Sequence, residues 1–288
     1  MQQAVERLIG LFNLEQLEEN LFRAWGHDNG NSAIFGGIVA GQALLAASKT
    51  VPEHRPVHSL HAYFLRAGDV NSPVVYDVER IRDGRSFATR RVKAIQHGRP
   101  IFSLAASFQE AESGPQHQRD MPAVPNADDV PSDDQARKAI AATMPAERQA
   151  LFTRPRPVVF HPVTPKNGFV TEPSEPVRNV WFKLADKVDV PQGVHRALLA
   201  YCSDFGLMTT AMQPHGLSFW QPDVQCASID HAMWFHNDVA VDDWLLYHCE
   251  SPFSGGGRGM NFGAIYAADG TLVASVAQEG LMRQRSAR

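Results

Sequence analysis

The hydrophobic positions of this chain form two similar series of segments, each led by a strongly apolar run. Residues 35–49 are apolar nearly all round and include three glycines, a pattern that predicts a helix enclosed by other elements. Four runs with strand-like composition follow, and glycine-containing turns separate several of them. These runs predict strands at residues 57–65, 74–82, 86–96 and 100–109.

The second half repeats this order, with a predicted helix at residues 195–212 and strands at residues 224–235, 244–252, 258–267 and 272–282. Residues 61–65 (His-Ala-Tyr-Phe-Leu) are similar to residues 231–235 (His-Ala-Met-Trp-Phe), about 170 positions later. Residues 43–46 (Ala-Leu-Leu-Ala) recur at residues 197–200. The shared order indicates a duplication. The predicted fold class is therefore α+β, a double hot-dog of two tandem repeats, each with a central helix wrapped by a curved antiparallel β-sheet.

A segment rich in Pro, Asp, Gln and Ser separates the two repeats at residues 111–157. It predicts a linker with helical pieces at residues 135–143 and 146–152, interrupted by Pro145. The predicted division is an N-terminal repeat at residues 1–112, a linker at residues 113–154 and a C-terminal repeat at residues 155–288. We expect the repeats to fold together, because one sheet cannot cover a helix that is apolar all round.

Charge and composition exclude several classes of protein. The formal net charge is −4 without a basic stripe, which argues against nucleic-acid binding. The most apolar stretch, residues 33–48, is too short for a membrane span. Three cysteines fit no zinc or redox spacing, and the N-terminus lacks a signal-peptide pattern. These features predict a soluble cytoplasmic protein.

Asp204 is the only acidic or basic residue between positions 197 and 212 of the second predicted helix. Burying a carboxylate costs several kcal/mol unless the group is paired or hydrogen-bonded. One interpretation is a structural acid held by a neighbour such as Ser203. The other is a general base, or an acid that orients water, in a cleft.

Two further polar residues are candidates for the same chemistry. Period-two alternation places Gln278 on one strand face with Ala274 and Val276, where its amide could hold a water or a carbonyl oxygen. An amide bonded to the backbone in the core remains an alternative. Ser228 precedes Ile229 on a predicted strand, where its hydroxyl could bind water or a local backbone group.

Other residue patterns in the sequence give weaker indications of function. No Gly-x-Ser-x-Gly elbow is present, which weakens a serine hydrolase. The glycine-rich residues 255–259 precede a strand rather than a helix, so they lack the context of a phosphate-binding loop. His58, a strand histidine able to titrate near neutral pH, is a rival general base.

The chain resembles the acyl-CoA thioesterase II family over nearly its whole length outside the linker. In the first half the resemblance is carried by residues 34–37 (Ile-Phe-Gly-Gly), 41–44, 57–66, 82–87 and 106–109. In the second half it is carried by residues 203–204 (Ser-Asp), 213–216, 228–236 and 276–280.

This resemblance implies a catalytic group of Asp204, Ser228 and Gln278, with Ser228 standing where some family members have threonine. It implies direct hydrolysis of fatty acyl-CoA by a water that this group activates, without a cofactor or a metal. It also implies a role in fatty acid metabolism and a homo-oligomer, either a dimer or a tetramer. A backbone N–H at the start of a helix is expected to stabilise the oxyanion.

Two alternative functions remain at this stage. Another hot-dog activity, such as an enoyl-CoA hydratase, needs an Asp–His pair near the helix, whereas a non-catalytic acyl-CoA-binding protein needs no Asp204. Within the duplication, alignment of Ala43 with Ala197 places Thr50 at the position of Asp204. The first repeat is therefore expected to lack the acid, which leaves one catalytic centre per chain.

Overall fold

A computed structural model of the chain describes residues 1–26, 33–142, 149, 153–164 and 172–284. Within these ranges, thirteen strands form one antiparallel sheet that curves around two long buried helices. This is the predicted α+β double hot-dog. The first of these helices (Gly36–Ser48) is enclosed because its side chains are apolar on nearly every face, and residues 196–203 of the second helix are buried as well.

The first half contains two helices and six strands. In chain order they are α1 (Gln2–Leu11), β1 (Glu15–Glu18), β2 (Leu21–Ala24), α2 (Gly36–Ser48), β3 (Val57–Phe64), β4 (Val74–Asp83), β5 (Phe87–Gln96) and β6 (Arg99–Gln109).

The linker and the second half hold the remaining elements. In chain order they are a 3₁₀ turn (Ala127–Asp129), α3 (Asp134–Ala142), β7 (Val158–Pro162), β8 (Val177–Leu184), α4 (Gln192–Ser203), α5 (Thr209–Met212), a 3₁₀ turn (Gln213–His215), β9 (Val224–Ser228), β10 (Asp230–Phe235), β11 (Leu245–Gly255), β12 (Arg258–Ala267) and β13 (Leu272–Gln284).

The two repeats share one sheet, whose strand order is β1-β2-β4-β5-β6-β3-β10-β13-β12-β11-β8-β7. The repeats join where β3 pairs antiparallel with β10, and His61 lies opposite Ala232 in that pair. Strand β9 pairs with β13 beside this path. The chain therefore buries both helices under a continuous β-surface.

Helices α2 and α4 pack against each other in opposite directions at very short range. A Cβ atom added at Gly41 would lie 2.5 Å from the backbone oxygen of Ala197, and one at Gly37 would lie 2.6 Å from that of Tyr201. Glycine is therefore required at both positions, because any side chain would push the helices apart. The start of α2 meets the end of α4, where Asp204 lies.

The helix predicted at residues 195–212 was wrong in its continuity. Helix α4 ends at Ser203, and α5 begins only at Thr209. Between them Gly206 has a φ of +71°, a left-handed conformation that glycine adopts without a steric penalty and that breaks a helix. Asp204 is thus the residue that caps α4, rather than a residue inside a helix.

The strand predicted at residues 224–235 is also interrupted. Ser228 lies opposite Gly280, whereas Ala232 lies opposite Ala277, so the first strand has one more residue than its partner over this stretch. The extra residue is a β-bulge, a feature that re-aims side chains and terminates pairing. It separates β9 from β10 immediately after Ser228.

Hydrophobic periodicity missed the strands that precede each central helix. Strands β1 and β2 are four residues long each, and all four residues of β1 are exposed, so they lack a strong apolar signal. Strands β7 and β8 follow the Pro-rich segment, where no strands were predicted. In the linker, α3 matches the helical piece predicted at residues 135–143, whereas the piece at residues 146–152 lies largely outside the described residues.

The core is one large apolar cluster that includes α2, α4 and the inner face of the sheet. A smaller cluster lies on the outer face, where the linker residues Ala127 and Val130 pack with Trp181, Leu246 and Tyr266. In the described part of the chain, no helix has both the length and the apolar character to cross a membrane.

Candidate active site

Asp204 lies where the two repeats meet. It follows the last residue of α4, and its carboxylate faces the first residue of α2: a Cβ atom added at Gly36 would lie 3.0 Å from Asp204 Oδ2. The first N–H groups of a helix lack partners within the helix and carry partial positive charge. The start of α2 is therefore suited to negative charge that develops nearby.

Gln278 holds the other oxygen of this carboxylate. Its Nε2 donates a hydrogen bond to Asp204 Oδ1 at 2.8 Å. Gln278 lies on the buried face of β13 with Ala274 and Val276, as the alternation predicted, and only 1% of its surface is exposed. Its second polar atom, Oε1, is buried and has no hydrogen-bond partner among the described residues.

Ser228 lies near the same two residues through the pairing of β9 with β13. It is opposite Gly280, two residues beyond Gln278, and it ends β9 at the bulge. Ser228, Asp204 and Gln278 all line one cavity of about 640 Å³. The structure therefore brings the three predicted residues to the wall of a single cavity.

The rest of this cavity comes from both repeats and is mainly apolar. Gly36 and Phe64 belong to the first repeat, and Phe205, Met208 and Phe219 belong to the second. A second cavity of about 820 Å³ also has Phe205 in its wall and is lined by apolar side chains and arginines. The site thus combines a small polar group with a large apolar surface, the usual composition of a small-molecule site.

His231 is a member of the site whose role the sequence did not reveal. Its ring is buried, its Nδ1 lies 3.1 Å from Gln278 Nε2, and its Nε2 lies 2.8 Å from Ser203 Oγ. Burial lowers the pKa of His231, although the carboxylates of Asp204 and Asp230 oppose this shift. The ring is therefore kept neutral.

Asp230 and His231 are adjacent on β10, so strand alternation predicts that their side chains face opposite sides of the sheet. That separation is correct, because Asp230 Oδ1 accepts a hydrogen bond from the backbone N–H of Glu279. Contact between His231 and Gln278 follows from the pairing of β10 with β13, which a single sequence shows only once the register is known. His58, the rival base, bonds Ser107 on the neighbouring strand and does not line the cavity.

The opposite end of the helix pair has a different chemistry. Thr50, at the position equivalent to Asp204, is buried, and its hydroxyl donates to the backbone oxygen of Ala47. Arg90 Nε donates to the same hydroxyl at 2.8 Å, and Arg90 Nη2 donates to Asp83 at 2.6 Å. A guanidinium thus occupies this end, where Thr50 stands in place of an acid.

Comparison with known proteins decides the family. The family described as "Acyl-CoA thioesterase" matches residues 148–281, and "Acyl-CoA thioesterase N-terminal domain" matches residues 23–109. The chain is 40% identical to acyl-coenzyme A thioesterase 8 of Homo sapiens over 95% of its own length and 88% of that protein. The chain belongs to the acyl-CoA thioesterase family. Acyl-CoA thioesterase 2 of Haemophilus influenzae is 38% identical, over 98% of this chain and 99% of that protein.

Solved structures agree with this assignment. The thioesterase is similar to the acyl-CoA thioesterase II TesB2 from Mycobacterium marinum, with 42% identity, a TM-score of 0.79 and coverage of 98% of this chain and 99% of that one. A hot-dog protein of unknown function from Alicyclobacillus acidocaldarius has a TM-score of 0.76 at 18% identity, with coverage of 97% and 99%. That likeness shows the fold alone. The protein is an acyl-CoA thioester hydrolase.

Proposed function

We propose that this thioesterase hydrolyses fatty acyl-CoA to free fatty acid and CoA by direct attack of a water held by Asp204, Gln278 and Ser228. The observation that carries the proposal is the 2.8 Å hydrogen bond between Gln278 Nε2 and Asp204 Oδ1 at the wall of a cavity that both repeats form. This bond engages one carboxylate oxygen and leaves Oδ2, on the Gly36 side, to take a proton.

The attacking water would donate one hydrogen to Asp204 Oδ2 and the other to Gln278 Oε1. Two acceptors aligned on one water direct its lone pair, which is positioning as well as base catalysis. The Ser228 hydroxyl, on the same cavity wall, can donate to the water or to the substrate carbonyl oxygen. As the water attacks the thioester carbon, its proton passes to Asp204.

Negative charge then develops on the carbonyl oxygen. The N–H groups at the start of α2 are suited to stabilise it, because Gly36 lines the cavity and presents no side chain there. The tetrahedral intermediate collapses as the C–S bond breaks and CoA leaves as a thiolate. Because a thiol pKa is about 8.5, departure needs little acid, and the proton held by Asp204 can return to the thiolate or to solvent.

The apolar cavity surface supports an aliphatic acyl chain as the substrate class. Five phenylalanines line the cavity, among them Phe64, Phe102 and Phe205, together with Val39 and Met208. A chain buried against such a surface gains about 0.8 kcal/mol per methylene group. Charged or sugar-like acyl groups would gain nothing comparable at these positions.

Hydrolysis of palmitoyl-CoA, followed by the release of free thiol, tests this function. We expect turnover by the wild-type protein and at least about a hundredfold lower kcat for Asp204→Asn, the low end for loss of general base catalysis. KM should change less. Asp230→Asn is the matched control, because Asp230 bonds the backbone N–H of Glu279 and does not line the cavity.

The same assay separates the alternatives. A hydratase would add water to an enoyl-CoA without releasing thiol, and an acyl-CoA-binding protein would bind palmitoyl-CoA without turnover. Near wild-type kcat in a folded Asp204→Asn protein would refute the assignment of the base. If His58→Ala abolished activity instead, the base would be reassigned to His58.

Gln278→Ala and Ser228→Ala should each lower kcat. Combined with Asp204→Asn, they should lower it by much less than the product of the single effects, because residues acting on one water behave as a unit. Fully multiplicative losses in the double variants would instead indicate three independent structural roles.

We also propose a reducing, cytoplasmic setting and a role in fatty acid metabolism. The support is that Cys202, Cys226 and Cys249 are all free thiols, and that burial raises the pKa of Cys249 to about 12, which keeps the thiol unreactive. Self-association as a dimer or tetramer remains part of the proposal, and sedimentation of the purified protein would test it.

A further inference from the structure

We propose that His231 is a positioning residue that fixes the orientation of the Gln278 amide, so that its oxygen rather than its nitrogen serves the attacking water. This inference rests on the proposed function, because it assigns a purpose to a residue that acts only through Gln278. The ring lies behind the amide and not in the cavity, so it is not itself a catalytic residue.

The amide has two nitrogen-bound hydrogens and the structure supplies an acceptor for each. One goes to Asp204 Oδ1 at 2.8 Å and the other to His231 Nδ1 at 3.1 Å. If the amide rotated by half a turn, its oxygen would face the lone pairs of both acceptors, which is repulsive. The two acceptors together therefore select one of the two amide orientations.

This selection requires that Nδ1 of His231 accept, and the residues behind the ring ensure it. The Ser203 hydroxyl donates to the backbone oxygen of Ala200 at 2.9 Å, so Ser203 Oγ is left to accept from the His231 Nε2–H at 2.8 Å. A neutral imidazole with its proton on Nε2 has an unprotonated Nδ1. The Nε2–H tautomer of His231 therefore depends on the backbone oxygen of Ala200, which engages the hydrogen of the Ser203 hydroxyl.

His231 becomes more important for holding the Gln278 amide as the reaction proceeds. When Asp204 takes the proton of the water, its negative charge disappears and its hydrogen bond from Gln278 weakens, because charge-assisted hydrogen bonds are roughly twice as strong as neutral ones. At that stage His231 Nδ1 is the remaining strong acceptor for the amide. The orientation of Gln278 is then held through the step in which the intermediate forms.

Two substitutions separate this role from simple packing. His231→Leu removes the acceptor, and we expect kcat to fall by about tenfold, equivalent to one hydrogen bond of about 1.4 kcal/mol, with KM within about twofold. His231→Asn keeps an acceptor close to the position of Nδ1, and we expect it to recover most of the lost kcat. Equal losses in both folded variants would overturn the inference.

A double-variant cycle provides the second criterion. In the Gln278→Ala background, His231→Leu should lower kcat by less than about twofold further, because no amide remains to be oriented. A full tenfold loss there would show that His231 acts independently of Gln278. His248→Leu is the matched control, since His248 also bonds an amide oxygen, that of Asn179, but lies outside the cavity wall.

The wild-type protein offers a test that requires no variant to fold. Nitrogen-15 NMR of labelled histidines distinguishes the two neutral tautomers and the imidazolium. We expect the Nε2–H tautomer for His231, and either the Nδ1–H tautomer or the imidazolium at neutral pH would overturn the inference. If Gln278→Ala alone keeps wild-type kcat, the proposed function fails. If Gln278→Ala is impaired but His231→Leu is not, only the role of His231 fails.

Discussion

The helix pair α2–α4 has an aspartate at one end and a threonine at the other, although duplication made the two positions equivalent. At the first end, Asp204 is half-buried beside a cavity, and Gln278 Oε1 has no partner among the described residues. At the second end, Arg90 is 1% exposed and donates to the side chains of Thr50 and Asp83 and to three backbone oxygens.

The difference shows that a polar residue at the end of a helix can take part in a reaction only if neighbouring groups keep hydrogen-bonding capacity for a ligand. Both ends contain polar groups in an apolar surrounding, where unpaired groups are costly. At the Thr50 end, Arg90 bonds the Thr50 hydroxyl, Asp83 and backbone oxygens, so these polar groups have partners within the protein. At the Asp204 end, Gln278 Oε1 has no hydrogen-bond partner among the described residues, and Asp204 and Gln278 line a cavity.

The largest effect is expected from separating the two repeats. Because β3 pairs with β10 and α2 packs on α4, we expect no thioesterase activity from residues 1–112 or residues 155–288 alone. Co-expression of the two fragments should recover soluble activity, since the linker outside them contributes little to the main core. A soluble, fully active C-terminal fragment would contradict the dependence of the Asp204 end on the first repeat.

A smaller effect, on stability alone, is expected at the Thr50 end. Arg90→Met removes the hydrogen bonds that Arg90 donates to Thr50 and to backbone oxygens, and we expect the free energy of unfolding to fall by about 3 kcal/mol. The kcat of the folded variant should stay within about twofold of wild type. Urea unfolding and the thiol-release assay measure the two quantities. A large loss of kcat without a loss of stability would show that the two ends are functionally coupled.

The dependence of the free energy of unfolding on pH tests whether His231, at the Asp204 end, is neutral. We expect an effect of about 1 kcal/mol. Burial lowers the pKa of His231 in the folded protein, so as pH falls below about 6.5 the unfolded chain takes up a proton first and the free energy of unfolding decreases. Above that pH the effect is absent. The wild type should therefore lose more stability than His231→Asn between about pH 7 and 5.5, by at most about 1.4 kcal/mol per pH unit.

Urea unfolding of both proteins at each pH measures this difference. The other histidines whose pKa burial lowers, His58, His195, His236 and His248, are common to both proteins and cancel. An equal loss in the two proteins would show that His231 is not held neutral.

The smallest effect is expected for Thr50→Val, which removes only a hydroxyl. Its kcat should stay within about twofold of wild type at a temperature where the variant is folded, because the hydroxyl bonds only Ala47 and Arg90 among the described residues, and neither lines the cavity. A tenfold loss of kcat would mean that the second end participates in turnover and that the comparison of the two ends is mistaken.

Periodicity and the duplication were enough to predict the fold class, α2 and the four strands that follow it. They also placed Gln278 on the buried face of β13, because alternation along one strand is a local property. They failed at Gly206, whose left-handed conformation interrupts the predicted helix although the residues before and after it are apolar. They also failed at the bulge after Ser228, which inserts one residue without changing the hydrophobic pattern.

The contact between His231 and Gln278 was beyond sequence reasoning for a different reason. It depends on the register between two strands that are separated by β11 and β12 in the chain. The same holds for Arg90, whose charged side chain is predicted to be exposed from its type alone. Its burial depends on acceptors supplied by three different segments.

The pairing of β3 with β10 also has a consequence for synthesis on the ribosome. The paired residues His61 and Ala232 are roughly 170 positions apart, so at about 5–20 residues per second the first repeat waits on the order of 10–30 s for its partner strand. During that interval β3 has an unpaired edge and α2 lacks half of its cover. The nascent chain is therefore at its most aggregation-prone just before translation ends, and chaperone demand should peak there.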